Sequence, residues 1–282
     1  MRGLRRRTDV CVAAAVVGLL LGGWAAPARS DPLDVLFPAT YVGNIDKIGF
    51  NEPSGLCFHA GRGTLFVVGD EGDVCEIRTD GTPVQNRHLR DADFEGITHD
   101  PATGLLYIAI EGEEKVLEVA PEGLEVRREF LLDRYFEGKL VMKPGGQGIE
   151  GITFVPDETH PEGGTFYVAN QGFDLADTED PSAIFEVEVP LRTGAAADEP
   201  CRILRAIYPG FVDIADLMYD TEAGRLYAVS DAANAFIVLS RDGEVLRAYA
   251  LPGMNQEGFA RDRDRFVYIA QDSGGIIKLA LR

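Results

Sequence analysis

The chain has 282 residues, 45% of them hydrophobic and 26% charged, with 46 acidic against 27 basic side chains and a formal net charge of −19. That apolar fraction builds a core, so a disordered chain is excluded, as are collagen-like and disulfide-scaffold compositions. The acidic excess repels nucleic-acid phosphates and anionic lipid, and it makes metal cations or cationic partners the natural counter-charges.

The first 30 positions hold Arg2, Arg5, Arg6, Arg7 and Arg29 but only one acid, Asp9. Arg5–Arg7 precede the twelve mainly apolar residues Val10 to Leu21, and Ala28 and Ser30 stand at the −3 and −1 positions of a small-residue cleavage site. This is the order of a secretory signal, and cleavage is expected before Asp31. The alternative is an uncleaved inner-membrane anchor lengthened through Gly22 to Ala26. Either way the body, 31–282, is expected to be one exported domain, periplasmic or secreted, that touches a membrane only through this segment. It carries 22 basic against 45 acidic residues. Its cysteines, Cys57, Cys75 and Cys201, lack CxxC spacing and read as small buried hydrophobes.

Five copies of one unit follow, starting at Glu52-Pro-Ser-Gly-Leu, Phe94-Glu-Gly-Ile-Thr, Ile149-Glu-Gly-Ile-Thr, Ile214-Ala-Asp-Leu-Met and Gln256-Glu-Gly-Phe-Ala. Their second strands align Phe66, Tyr107, Tyr167, Tyr227 and Tyr268, at steps of 41, 60, 60 and 41 residues. Hairpin signals such as Asp100-Pro-Ala-Thr-Gly separate the strands, and two further apolar stretches complete most copies. Four short strands per roughly 40-residue repeat is the arithmetic of a β-propeller. The reading is all-β with five blades, six being the alternative count. The last copy has three strands, so the stretch at Thr40–Ile45 is expected to supply its fourth and close the ring.

Aligned on the Gly-apolar pair, one level of the channel wall holds Ser54, Glu95, Glu150, Ala215 and Glu257. Two residues earlier come Glu52, Asp93, Gly148, Asp213 and Asn255. Residues i and i+2 share a strand face about 6.6 Å apart, which predicts two stacked rings. Where the first ring lacks an acid, at Ser54 and Ala215, the second supplies Glu52 and Asp213. A third column, four residues after each aromatic, is Asp70, Glu111, Gln171, Asp231 and Asp272. So many carboxylates repel unless they are protonated or hold a cation. Oxygen-only donors without His or Cys point to a hard ion, and calcium tolerates irregular sets of about six to eight oxygens. Glu52, Glu95, Glu150, Asp213 and Glu257 are therefore the expected ligands, with Asp93, Asp70, Glu111, Asp231 and Asp272 as further candidates. The competing reading is that the repeated acids only bind backbone amides.

Other signals carry less. Gly146-Gln-Gly-Ile-Glu-Gly fits GxGxxG but precedes a strand instead of a helix, so no dinucleotide site is expected. The histidines are dispersed, and no Gly-x-Ser-x-Gly elbow occurs. Two insertions, 134–147 and 172–182, leave for the acid face and suit either a lid or partner surface or mere loop drift.

The Ser54-Gly-Leu start, the two Glu-Gly-Ile-Thr copies, the Leu-Tyr second strands and the final Glu257-Gly-Phe resemble the SdiA-regulated, YjiK-like family over roughly Phe37 to Arg282. The resemblance implies an exported bacterial five-bladed propeller in a family that includes calcium-binding proteins linked to calcium homeostasis. Phytase-like esterase and gluconolactonase-like propellers share Glu-Gly starts, and Ala215-Asp216 departs from the pattern in the fourth copy. A calcium-binding module, for signalling or for a protein or small-molecule ligand on the acid face, is the leading expectation. A calcium-dependent hydrolase of phosphoesters or lactones is the alternative, and the residues alone do not decide whether the protein is an enzyme.

Overall fold

The repeated aromatics mark where each unit packs. Phe66, Tyr107, Tyr167 and Tyr268 are almost fully buried, on strands covered on both faces. In the computed structural model, which describes residues 33, 35–194 and 200–282, the elements are strands throughout. The expected signal at 1–30 lies outside the described residues. Among those described, no helix is long and apolar enough to cross a membrane.

The chain opens with β1 (Ala39–Asn44) and then forms five four-stranded antiparallel sheets. Blade 1 is β2 (Pro53–His59), β3 (Thr64–Gly69), β4 (Asp73–Arg78) and β5 (Pro83–His88). Blade 2 is β6 (Phe94–His99), β7 (Leu106–Ile110), β8 (Lys115–Ala120) and β9 (Glu125–Leu131). A small hairpin, β10 (Tyr135–Phe136) and β11 (Lys139–Leu140), occupies the first insertion. Blade 3 is β12 (Ile149–Pro156), β13 (Gly164–Asn170), β14 (Ala183–Glu188) and β15 (Arg202–Ile207). Blade 4 is β16 (Ile214–Asp220), β17 (Arg225–Ser230), β18 (Ala235–Ser240) and β19 (Val245–Ala250). Blade 5 is β20 (Gln256–Arg261), β21 (Phe266–Gln271) and β22 (Ile276–Leu281), and β1 pairs antiparallel with β22, Ala39 opposite Leu281 and Asn44 opposite Ile277.

Burial lies between blades. One cluster joins Phe66 and Val68 of blade 1 to Phe94 and Ile97 of blade 2, and equivalent clusters fill the next three interfaces. A fifth joins Leu65 and Val67 of blade 1 to Tyr268 and Ala270 of blade 5. The count of five blades holds.

The Glu-Gly-Ile-Thr motif has a packing explanation that the repeat alone does not supply. A Cβ on Gly96 would meet Glu150 O of the next blade at 2.5 Å and Ile152 N at 2.7 Å. Gly55, Gly151 and Gly258 face their neighbours in the same way, so glycine stands where the innermost strands approach most closely. The motif threonine ties the same joint: Phe154 N donates to Thr98 Oγ1 at 3.2 Å, and Tyr219 N to Thr153 Oγ1 at 2.9 Å. In blade 4 Asp216 replaces the glycine. Its buried carboxylate accepts Leu217 N at 2.7 Å and Phe259 N at 2.6 Å, and burial holds it well above the usual carboxylate range.

Candidate metal centre

Each innermost strand begins at the acid-bearing end of the channel, and each second strand returns there. The return is hydrogen-bonded. Glu111 N donates to Asp93 O at 3.0 Å, Gln171 N to Gly148 O at 2.8 Å, Asp231 N to Asp213 O at 3.2 Å and Asp272 N to Asn255 O at 3.2 Å. The second and third columns read from the sequence are therefore neighbours in four of the five blades.

The two stacked rings on one strand face are not observed. Every first-to-second strand pair shifts register at its start, between Phe94 and Ile97 in blade 2 for instance. The residues two before the motif lie ahead of the strand, and Glu52, Gly148, Asp213 and Asn255 take positive φ of 44°, 81°, 55° and 59°. A bulge preceded by a left-handed residue turns these side chains off the strand's pleat, so the i, i+2 rule fails there.

What converges is a different subset of the same acids. Carboxylate oxygens of Asp70, Asp93 and Glu95 lie within 4.8 Å of one another, and so do those of Glu95, Glu111 and Glu150. Glu95 joins the two groups, which span blades 1 to 3. Among the described residues no Lys, Arg or His forms an ion pair with any of these five. Burial, then the charge of Glu150, holds Glu95 well above the usual carboxylate range; burial, then the charge of Glu111, does the same for Glu150. Carboxylates this close and this buried repel unless they keep a proton or hold a cation. Glu111 is pushed up to about 7 by burial and by Asp93. Asp70 is raised by burial and accepts a short hydrogen bond from Ser54 Oγ. Asp93 Oδ1 is buried with no donor.

The other expected ligands stand apart. Glu257 is not in either group, but burial and then Asp231 push its carboxyl up to about 8. Asp213 is buried and already engaged, accepting Gln171 Nε2 at 2.8 Å and Ala232 N at 2.7 Å. Asp231 accepts Gln256 N at 2.7 Å. Glu52 and Asp272 are exposed, Glu52 beside Asn51. For Asp213 and Asp231 the backbone-capping reading describes what is seen. Sequence reasoning missed Ser54 and Gln171 as partners of the acids, although both sat in the aligned columns. It also missed Asp180, buried in the second insertion, where it accepts Gln147 N at 2.9 Å and Asn170 Nδ2 at 3.2 Å and ties the two insertions together.

Space and charge do not coincide. A cavity of about 700 Å³ opens at the opposite end of the channel among Phe58, His99, Tyr219 and Arg261. Beside the acids, a second cavity of about 490 Å³ is lined by Asp70, Glu71, His88, Asp91, Ala92 and Asp93. Proximity to the carboxylates matters more for an ion than volume does, so the acid end is the candidate centre.

The chain is similar in fold to a glutaminyl cyclase from Myxococcus xanthus, with 13% identity, a TM-score of 0.58 and coverage of 86% of this chain and 95% of that one. It is likewise similar to a gluconolactonase from Xanthomonas campestris, with 15% identity, a TM-score of 0.52 and coverage of 89% and 97%. At such identities the likeness shows the propeller fold alone. No curated protein matches the sequence. The model of the SdiA-regulated family matches residues 40–273, which takes in blades 1 to 4 and reaches into blade 5, and the chain belongs to that family.

Proposed function

We propose that the acid end of the channel binds a divalent cation, calcium, and that the protein is an exported calcium-binding propeller serving as a binding or signalling module. The observation that carries this is the convergence of Asp70, Asp93, Glu95, Glu111 and Glu150, which form no ion pair with a basic side chain among the described residues. Without a cation, several of these groups must stay protonated, against their usual preference at neutral pH. The donors are oxygens only, their arrangement is irregular, and Asp93 Oδ1 awaits a partner. All three suit calcium better than magnesium, which demands an octahedron, or zinc, which favours nitrogen and sulfur. The setting implied by the resemblance is calcium homeostasis outside the cytoplasm. We read β1, through its pairing with β22, as the clasp that closes the ring.

One feature favours the hydrolase alternative. Glu257, which stands outside the convergent groups, is raised to about 8 by burial and by Asp231, so it carries a proton near neutral pH and suits a general acid. The test is calorimetric titration of chelator-stripped protein with calcium and with magnesium, followed by turnover of phosphoesters and lactones in the calcium-loaded sample. One calcium site without turnover supports the module. Turnover that chelator abolishes supports the hydrolase, and absence of binding removes both.

A further inference from the structure

We propose that the acid end of the channel is also a docking face for a cationic amphipathic segment of another protein, with Phe173, Leu175 and Met254 as its apolar contacts. These three are 55%, 57% and 71% exposed. Other large exposed hydrophobics among the described residues stand on outermost strands, around β1, or at the outer start of a blade-to-blade connection. None stands on a connection at the opposite end of the channel.

Their position at the mouth follows from the backbone. Gly172 O accepts Asp213 N at 2.9 Å, so Phe173 directly follows a residue bonded to the entry of blade 4's innermost strand. Met254 O accepts Gln271 Nε2 at 3.0 Å, and the next residue, Asn255, accepts Asp272 N. The loop bearing Phe173 and Leu175 is built. Asp174 Oδ1 accepts Ala176 N at 2.8 Å, Asp177 Oδ1 accepts Glu179 N at 2.9 Å, and buried Asp180 pins the loop's end to Gln147 and Asn170. Two large apolar side chains, two residues apart, are thus held in water by an ordered loop.

Charge selects the occupant. Asp174, Asp177 and Glu179 share the exposed loop with Phe173 and Leu175, in a chain whose formal net charge is −19. A second copy would bring the same acidic face against itself, and an anionic bilayer would be repelled. A segment alternating Lys or Arg with apolar side chains satisfies both features. This surface does not depend on a cation at the axis.

The probe is a fluorescein-labelled Lys-Phe-Lys-Leu-Lys-Phe-Lys-Leu peptide, read by anisotropy against the full mature chain in chelator and again in calcium. A Lys-Ser repeat of equal charge is the control. Binding is expected to weaken roughly tenfold in Phe173→Ser/Leu175→Ser and in Met254→Ser, the loss typical of an interface anchor, and to be unchanged in the outer-strand variant Leu246→Ser. The proposal is overturned if the wild type does not bind, if the Lys-Ser peptide binds equally well, or if the loop variant keeps full affinity. It is also overturned if sedimentation shows a dimer that Phe173→Ser/Leu175→Ser dissolves, or if the protein pellets with phosphatidylcholine vesicles, since a second copy or a membrane would then be the occupant.

Discussion

Stripped of metal, this protein should become less stable as the pH rises from 6.5 to 8.5. Glu257 and Glu111 have folded-state pKa values of about 8 and about 7, above their ordinary 4.5, chiefly through burial. A carboxyl raised on folding contributes stability below its unfolded pKa and loses it as pH climbs through the folded value. His99 has the opposite sign: burial lowers it to about 4 from 6.5, so its contribution grows with pH and is complete above 6.5. Carboxylates lowered on folding, such as Glu76 and Glu162, change stability only near and below 4.5. The window from 6.5 to 8.5 therefore reports on carboxyls raised by burial, Glu257 and Glu111 among them. Glu257 alone stays protonated in the fold over about 1.5 pH units in which the unfolded carboxyl is ionised, which amounts to about 2 kcal/mol. At 2–4 °C per kcal/mol for a domain of this size, Tm should drop by roughly 4–8 °C. Scanning calorimetry in chelator across this range measures it, and saturating calcium should remove the part of the slope that belongs to Glu111, a member of the convergent group, while leaving the part that belongs to Glu257. A Tm in chelator that is flat or rising would refute the reasoning.

Gly96→Ala places a methyl 2.5 Å from Glu150 O, so overpacking at the blade joint should cost about 1–3 kcal/mol, whereas Gly43→Ala, with nothing within 4 Å, should be neutral; denaturant melts compare the two. Thr153→Val strands the N–H of Tyr219 and should destabilise by about 1–3 kcal/mol, with hydrogen exchange at that amide rising in parallel. N-terminal sequencing of exported material should find a chain beginning near Asp31, and intact Met1 in a membrane pellet would show an anchor instead.

The repeat was legible because each blade must bury the same positions. Aromatics at matched offsets and turn residues between them place Phe66, Tyr107, Tyr167 and Tyr268 correctly in an inter-blade core. The acids were legible as a class but not as a set. Asp70, Asp93 and Glu111, the less favoured candidates, sit with Glu95 and Glu150, whereas Glu52 points to solvent. The cause is local backbone. A left-handed residue and a bulge at the strand start redirect the side chains two positions ahead, and a non-glycine residue such as Glu52 or Asp213 gives no sequence sign that its φ is positive. Asp216 stood out as a departure from Glu-Gly. Its role, bonding the backbone of the next blade, depends on an approach between strands far apart in sequence.

The central claim is that a cation is held by the convergent subset of acids. The most direct measurement is calcium calorimetry on Glu150→Gln beside Glu52→Gln. Glu150 is buried within the cluster and Glu52 is exposed outside it. Glu150→Gln should weaken calcium binding by roughly tenfold or more, about 1.4 kcal/mol, while Glu52→Gln should bind as the wild type does. Equal affinity in Glu150→Gln and the wild type would contradict that claim.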